Sequence, residues 1–318
     1  MKVNHYALCL QPITPYHNEM ADLPQSLFGA REVRELDRVA IEELNIDAYT
    51  LMRRAGQAAF DCLKAEWPRV ESVTVMCGSG NNGGDGYVLA ELALRAGWRV
   101  TVIAIKPPGT DVARHACADY QAAGGACLGW PGDLPADHGV IADGLLGTGL
   151  EQAVAGVYAD AIELINRDDR PVLALDVPSG LHADTGGVMG CAVKAQLTVS
   201  FIGLKIGLFT GRGREFAGRI RFNDLAVPAR TYSAVEPRAR RIDPRADGLL
   251  PLTRPRDAHK GIAGRALIVG GNSGTAGAAR MSGEAAYRSG AGLVEVVTPP
   301  EQVAVIGGGC PELMVKGV

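Results

Sequence analysis

The stretch VTVMCGSGNNGGDGYVLAELALRAG, Val73 to Gly97, holds an apolar β-branched run, a glycine-rich loop and a helical period in direct succession. A strand that feeds a helix through glycines is a unit of α/β sheets, and the backbone N–H groups of such a loop turn toward an anion at the helix N-terminus. Asp85 adds a carboxylate to that anion-binding place. Either no phosphate lies beside it, or the carboxylate has a chemical role of its own.

Outward from this unit the period changes on both sides. In REVRELDRVAIEELNIDAYTLMRRAGQAAFDCLKAEW, Val33, Leu36, Val39 and Ala40, then Leu51, Ala55, Ala58, Ala59 and Leu63, recur at helical spacing, so two helices precede the first strand. SVTVMCG, WRVTVIAI, GVIADGL, RPVLALDVPSG and AQLTVSFIG are short apolar runs bounded by turn residues, interspersed with helix-like ARHACADYQAAGG and GVYADAIELINR. Such alternation predicts the α/β class: a parallel sheet covered on both faces, in a Rossmann-like three-layer αβα domain that binds ligands at the carboxyl ends of its strands.

Residues 1–24 read as an N-terminal extension and residues 25–228 as the α/β domain. Residues 229–255, dense in Pro and Arg and without sustained period, read as a linker. In residues 256–318, RALIVGGNSGTAGAARMSGEAAYRSGAGLVEVV repeats the strand, glycine loop, helix, strand plan. That segment is short against the usual 100 to 150 residues of a domain, so it reads as a second α/β domain cut off early.

Composition narrows the function classes. The formal net charge of −3 over 318 residues supplies no general attraction to nucleic acid or anionic membrane, and neither is expected as a partner. The seven cysteines are scattered, odd in number and never spaced C-x-x-C, which signals neither a disulfide framework nor a zinc site and makes a cytoplasmic location the expectation. No apolar run approaches the roughly 18 residues of a membrane span.

Gly78, Gly80 and Gly83 satisfy G-x-G-x-x-G, but an NAD site also asks for an acidic residue about 20 positions on, at the end of the second strand. The second run offers Lys106 instead, and Gly84 is followed by Asp85 rather than the Lys of a phosphate-binding P-loop. Asp143 and Asp176 each stand at the carboxyl end of an apolar run, where an Asp is otherwise a turn former. Oxygen groups of Asn82, Asp143 and Ser179 suit a hard cation, and one carboxylate among neutral donors favours a weakly held monovalent ion. No His stands at metal-ligand spacing or beside a nucleophile, and Ser179 lacks the G-x-S-x-G context of a hydrolase.

GSGNNGGDG, ADGLLGTGLEQ and LDVPSGL, in this order, closely resemble the signature of the NAD(P)H-hydrate epimerases, the YjeF N-terminal family, and residues 31–56 resemble its opening helices. The segment with HKGIAGRALIVGGNSGTAGAA and RSGAGLVEVVTP resembles the start of the ADP-dependent NAD(P)H-hydrate dehydratases, whose fold is ribokinase-like. The two are fused in the bifunctional nicotinamide nucleotide repair proteins of bacteria.

The resemblance implies NADHX or NADPHX as substrate, bound by Asn81, Asn82, Gly83, Gly84 and Asp85, by Gly147, Thr148, Gly149, Leu150, Glu151, Gln152 and Ala153, and by Tyr158 and Asp176. It implies one K⁺ held by Asn82, Asp143 and Ser179, Asp176 as the catalytic residue, and ADP as cofactor for the second domain only. Because the nucleotide site and catalytic acid of the dehydratases lie late in that domain, this chain is expected to lack most of it and not to dehydrate the hydrates itself; self-association through the segment is expected. The alternatives are a non-catalytic dinucleotide- or RNA-related scaffold of the YjeF N-terminal type, a nicotinamide oxidoreductase, disfavoured by Lys106, and a sugar kinase resting on the second segment alone.

Overall fold

A computed structural model describes residues 23–130, 132–135, 139–243 and 256–318. All but the end of the expected N-terminal extension, the later part of the expected linker, Cys9, His5, His17 and His138 lie outside these residues. The chain divides between Ile242 and Asp243 into two compact units.

The first unit opens with β1 (Ser26–Leu27), α1 (Ala30–Arg38) and α2 (Ala48–Glu66), with a π-helical turn over Val39–Glu43 after α1. Asp47 starts α2 by accepting a 2.8 Å hydrogen bond from Thr50 N, satisfying one of the free donors of a helix N-terminus. There follow β2 (Ser72–Cys77), α3 (Asn81–Arg95), β3 (Arg99–Ala104), α4 (Asp111–Ala122), β4 (Cys127–Gly129), β5 (Val140–Gly144), α5 (Val157–Arg167), β6 (Val172–Leu175) and β7 (Leu197–Phe201). The unit closes with the short α6 (Gly213–Phe216), β8 (Arg219–Asn223), α7 (Arg230–Ser233) and β9 (Ala239–Arg240).

Seven strands form one sheet in the order β4-β3-β2-β5-β6-β7-β8, every neighbouring pair parallel. The order runs outward in both directions from β2 and β5, and that reversal is the topological switch point where such sheets bind ligands. Alternation along each strand divides the core. Val73, Val75 and Cys77 of β2 face a cluster with α1 to α4, while Met76 faces Ala161, Ile162 and Ile165 of α5. This is the three-layer arrangement, and it explains why the central strands read as unbroken apolar runs.

Two expectations are corrected. NNGGDG is not loop: α3 begins at Asn81 with Gly80 as its N-cap, so Asp85 lies one turn inside the helix rather than at its mouth. The early part of the expected linker is also folded. β9 pairs antiparallel with β1, Ser26 opposite Arg240, and Val235 belongs to the main core. Its Pro and Arg content hid this, because a two-residue strand and a four-residue helix leave no period to read. β4 and β8 likewise carry too few buried positions to announce themselves.

The second unit holds β10 (Arg265–Val269), α8 (Ala276–Arg288), β11 (Leu293–Thr298), α9 (Val303–Gly307) and β12 (Met314–Gly317). Its three strands are parallel in the order β10-β11-β12, around a small core that includes Ala279, Val294, Val296 and Ile306.

Gly83 shows why the motif needs glycine. A Cβ there would collide with the backbone carbonyl oxygen of Gly78, whereas one on Gly80 would meet nothing within 4 Å. Gly83→Ala should cost about 1–3 kcal/mol as overpacking, and Gly80→Ala well under that. Equal urea midpoints for the two variants would contradict this account of the turn.

Candidate functional site

A cavity of about 850 Å³ opens at the carboxyl ends of the central strands. It is lined from the β2–α3 turn by Ser79, Gly80, Asn81, Asn82 and Asp85, and from the segment after β5 by Leu145 to Gln152 and Tyr158. Asp176 enters beyond β6, Phe201 at the end of β7 with Ile202 and Lys205 beyond it, and Arg34, Asp37 and Met52 from α1 and α2. Eleven of the residues named from sequence line it: Asn81, Asn82, Asp85, Gly147, Thr148, Gly149, Leu150, Glu151, Gln152, Tyr158 and Asp176. Gly83, Gly84 and Ala153 do not. Gly83 abuts the Gly78 carbonyl and Gly84 the Met52 side chain, so both act by letting α3 pack closely.

Strained backbone gathers at one side of this cavity. Asp176 has φ 67° and Ile202 φ 53°, left-handed conformations that Asp adopts more readily than most residues and that are costly for a β-branched one. Hydrogen bonds from the next strand hold Asp176 there: its N–H donates to Val199 O at 2.8 Å, and its Oδ1 accepts from Phe201 N at 3.1 Å. The same Oδ1 pairs with Lys205 Nζ, which also donates to Phe201 O at 2.8 Å. Lys205 is 1% exposed. A buried ammonium without its carboxylate is strongly unfavourable, so this pair is fixed in place. No donor among the described residues reaches Asp176 Oδ2, which leaves that oxygen for a ligand.

Two further carboxyls share the Lys205 field. Asp85 on α3 is pushed well above the ordinary carboxylate range, first by burial and then by the nearby Asp176 and Asp37, against which the Lys205 charge works. Asp37 on α1 is pushed up to about 6, also chiefly by burial, with Lys205 opposing and Asp176 adding. Three acidic side chains around one ammonium cannot all be ionised cheaply, and burial holds the Asp85 and Asp37 carboxyls above the ordinary range. Sequence reading missed both Asp37 and Lys205. The signal for each was a lone charge against a buried element, Asp37 among the apolar positions of its helix and Lys205 just after SFIG.

Of the oxygen trio, Asn82 lines the cavity while Asp143 and Ser179 lie behind its wall. Asp143 is fully buried at the end of β5; its Oδ2 accepts from Ser179 N at 2.8 Å, and its Oδ1 from Ser179 Oγ at 2.6 Å and Leu145 N at 3.2 Å. Burial raises it to about 6 against the pull of those donors. Leu146 N donates to Ser179 Oγ at 2.8 Å, and Asn82 Nδ2 to Leu146 O at 3.1 Å. Asn82 Oδ1 is buried and has no donor. An orphaned amide oxygen beside a buried carboxylate and a hydroxyl is a donor set that asks for a cation.

A doubly wound sheet with its cavity at the switch point, under a helix N-terminus, defines a Rossmann-like α/β protein. The family described as YjeF-related protein N-terminus matches residues 48–207, and the chain belongs to it. Residues 266–318 match the family described as NAD(P)H-hydrate dehydratase, and the parallel sheet of the second unit fits part of a ribokinase-like domain. Similar proteins include the bifunctional NAD(P)H-hydrate repair enzymes Nnr of Coxiella burnetii, 44% identical over 91% of this chain and 59% of that protein, and of Escherichia coli, 40% identical over 92% and 57%. The bifunctional NAD(P)H-hydrate repair enzyme of Leishmania major is 40% identical over 92% of this chain and 54% of its own length. The chain thus spans under two thirds of these relatives. The expectation that it lacks most of the dehydratase domain finds no support in these matches. The crystal structure of yeast ynu0 (YNL200c) shares the fold, with a TM-score of 0.56 at 18% identity over 66% of this chain and 94% of that one.

The raised Asp37 carboxyl sets a pH dependence. Its folded value of about 6 lies above the unfolded value of about 3.9, so the folded state binds the proton more tightly. Its contribution is full below the unfolded value and is lost as pH rises through about 6. Between pH 5 and pH 7 the protein should therefore lose on the order of 1 kcal/mol relative to Asp37→Asn, solvent screening having reduced the full linkage value. Parallel pH profiles of the two urea midpoints would show that Asp37 stays ionised.

Proposed function

We propose that the first unit is an NAD(P)H-hydrate epimerase that interconverts the R and S forms of hydrated NADH and NADPH. The observation that carries this reading is the Asp176–Lys205 pair facing Asp85 across a cavity at the switch point of the sheet. The free N–H groups at the start of α3 suit the diphosphate of a dinucleotide. The substrate's reduced ring has taken up water, giving a carbon that bears a hydroxyl beside the ring nitrogen.

Inverting that carbon needs a proton for the departing hydroxyl and a base for the water that attacks the opposite face. Environment separates the roles as it does for two carboxyls of unlike surroundings. Asp85, kept protonated by burial, gives its proton to the leaving hydroxyl, and the C–O bond breaks as the ring nitrogen takes up the positive charge. Water adds from the other side, and Asp176, oriented through Oδ1 by Lys205 and Phe201 N, receives its proton on Oδ2. The reverse reaction exchanges the two roles. In this reading Asp85 serves as the acid and Asp176 as the base.

Asn82, Asp143 and Ser179 would hold K⁺, whose charge offsets Asp143 and satisfies Asn82 Oδ1. In the same reading, residues 256–318 belong to a dehydratase domain that uses ADP, a reading supported by the match of residues 266–318 to the NAD(P)H-hydrate dehydratase family. We take residues 25–228 as the epimerase domain and residues 256–318 as the dehydratase segment, and the division into two compact units between Ile242 and Asp243 supports two domains.

The test supplies mixed R and S NADPHX together with a separate S-specific dehydratase. The R form should disappear only when this chain is added, and Asp176→Asn should slow its loss by about 10²–10⁴-fold while dinucleotide binding persists. Persistence of R in the presence of the unaltered chain would leave only the binding scaffold. A second expectation concerns the cation. KCl in place of choline chloride at equal ionic strength should raise the melting temperature, by about 2–4 °C for each kcal/mol of binding, and Asp143→Asn should abolish the increment. An unchanged melting temperature in KCl would remove the K⁺ assignment.

A further inference from the structure

We propose that Lys106 recognises the 2′-phosphate of the adenosine ribose, so that the site takes hydrated NADPH in preference to hydrated NADH. This rests on the epimerase reading and deepens it. Lys106 stands just beyond the end of β3, the second strand of the doubly wound order. At that position a site for the unphosphorylated dinucleotide carries an acidic residue that holds the ribose 2′-hydroxyl, and a basic side chain accommodates the 2′-phosphate instead. A carboxylate there would repel a phosphate; an ammonium attracts it.

The neighbourhood leaves that ammonium available. Lys106 is exposed, and among the described residues its Nζ forms no ion pair; it lies over the ring of Tyr158, 5.6 Å from the centroid. Tyr158 itself lines the cavity. A cation resting on an aromatic face is held at low cost and keeps its three donors for another partner.

The reach also agrees. From Asp176 beyond β6 to Lys106 beyond β3 the sheet steps across β5 and β2, three strand spacings or about 14 Å. The start of α3, which follows β2, lies between these ends, so ring, diphosphate and adenosine ribose meet Asp176, the helix N-terminus and Lys106 in chain order along the ligand. The cations that line the cavity are placed otherwise. Lys205 is committed to Asp176 and Phe201 O, and Arg34 lies on α1, one turn from Asp37.

The first measurement is calorimetric binding of adenosine 2′,5′-bisphosphate and adenosine 5′-monophosphate to the full chain. The bisphosphate should bind about tenfold more tightly, as one charge-assisted contact provides. Lys106→Ala should erase that advantage, Lys106→Arg should retain it, and Arg34→Ala should leave it in place. With the hydrates as substrates, the ratio of kcat/KM for NADPHX to that for NADHX should fall about tenfold in Lys106→Ala. An unchanged ratio, or an advantage lost with Arg34→Ala instead, overturns the proposal while the epimerase stands. Failure of the unaltered chain to epimerise either hydrate overturns the epimerase, and the bisphosphate comparison still decides the role of Lys106.

Discussion

A single ammonium inside the protein governs the arrangement of the site. Lys205 Nζ is removed from water at the end of β7, where an unpaired charge would be prohibitive, and its partners are the Asp176 carboxylate and the Phe201 carbonyl. To reach it, Asp176 leaves β6 in the left-handed region. The strain at Asp176 and Ile202 is thus compensated by an ion pair that exists only in the folded chain, and both strained residues fall on the cavity wall. Asp85 and Asp37 share its surroundings without touching it, and burial raises both carboxyls against the pull of the Lys205 charge.

The frame around that charge follows from close packing of glycine against backbone. Gly83 against the Gly78 carbonyl, and Gly78 against the Leu145 backbone, bring the start of α3 next to the ends of β2 and β5. With side chains at these positions the helix N-terminus would stand away from the strand ends, and its free N–H groups would not face the cavity that Asp85 enters. The strand order then does the rest: the outward reversal between β2 and β5 leaves a crevice there and nowhere else in the sheet.

Much of this was legible in the sequence. The five central strands and five main helices of the first unit are continuous runs of one period, and such runs report burial directly. The oxygen trio was legible because strand-end Asp and Ser residues in a parallel sheet converge on one edge. What escaped was of two kinds. β4, β8, β9 and α7 are short or only half-buried, so their pairing depends on partners far along the chain. Asp37 and Lys205 escaped because a charged residue near an apolar run reads as solvated surface, and only the fold shows that helix and strand turn these two toward each other. The placement of Asp85 at a loop mouth failed for a different reason. Glycines normally break helices, and here tertiary packing makes them helical.

Asp143 and Asp176 stand at equivalent places, the ends of adjacent strands, yet the structure gives them opposite duties. Asp143 ends β5 with both oxygens occupied by donors from the Leu145 and Ser179 backbone and the Ser179 hydroxyl, fastening the segments after β5 and β6 to each other. Asn82 joins the same knot through Leu146 O, so the segment from Gly147 to Gln152 leaves from an anchored point. Asp176 has one oxygen fixed by Lys205 and Phe201 N and the other without a donor. A carboxylate saturated by its neighbours organises the wall, and one held at a single oxygen keeps the second for chemistry. The left-handed turn at Asp176 makes that difference, since it carries the carboxyl to the Lys205 side and away from the donors that saturate its counterpart.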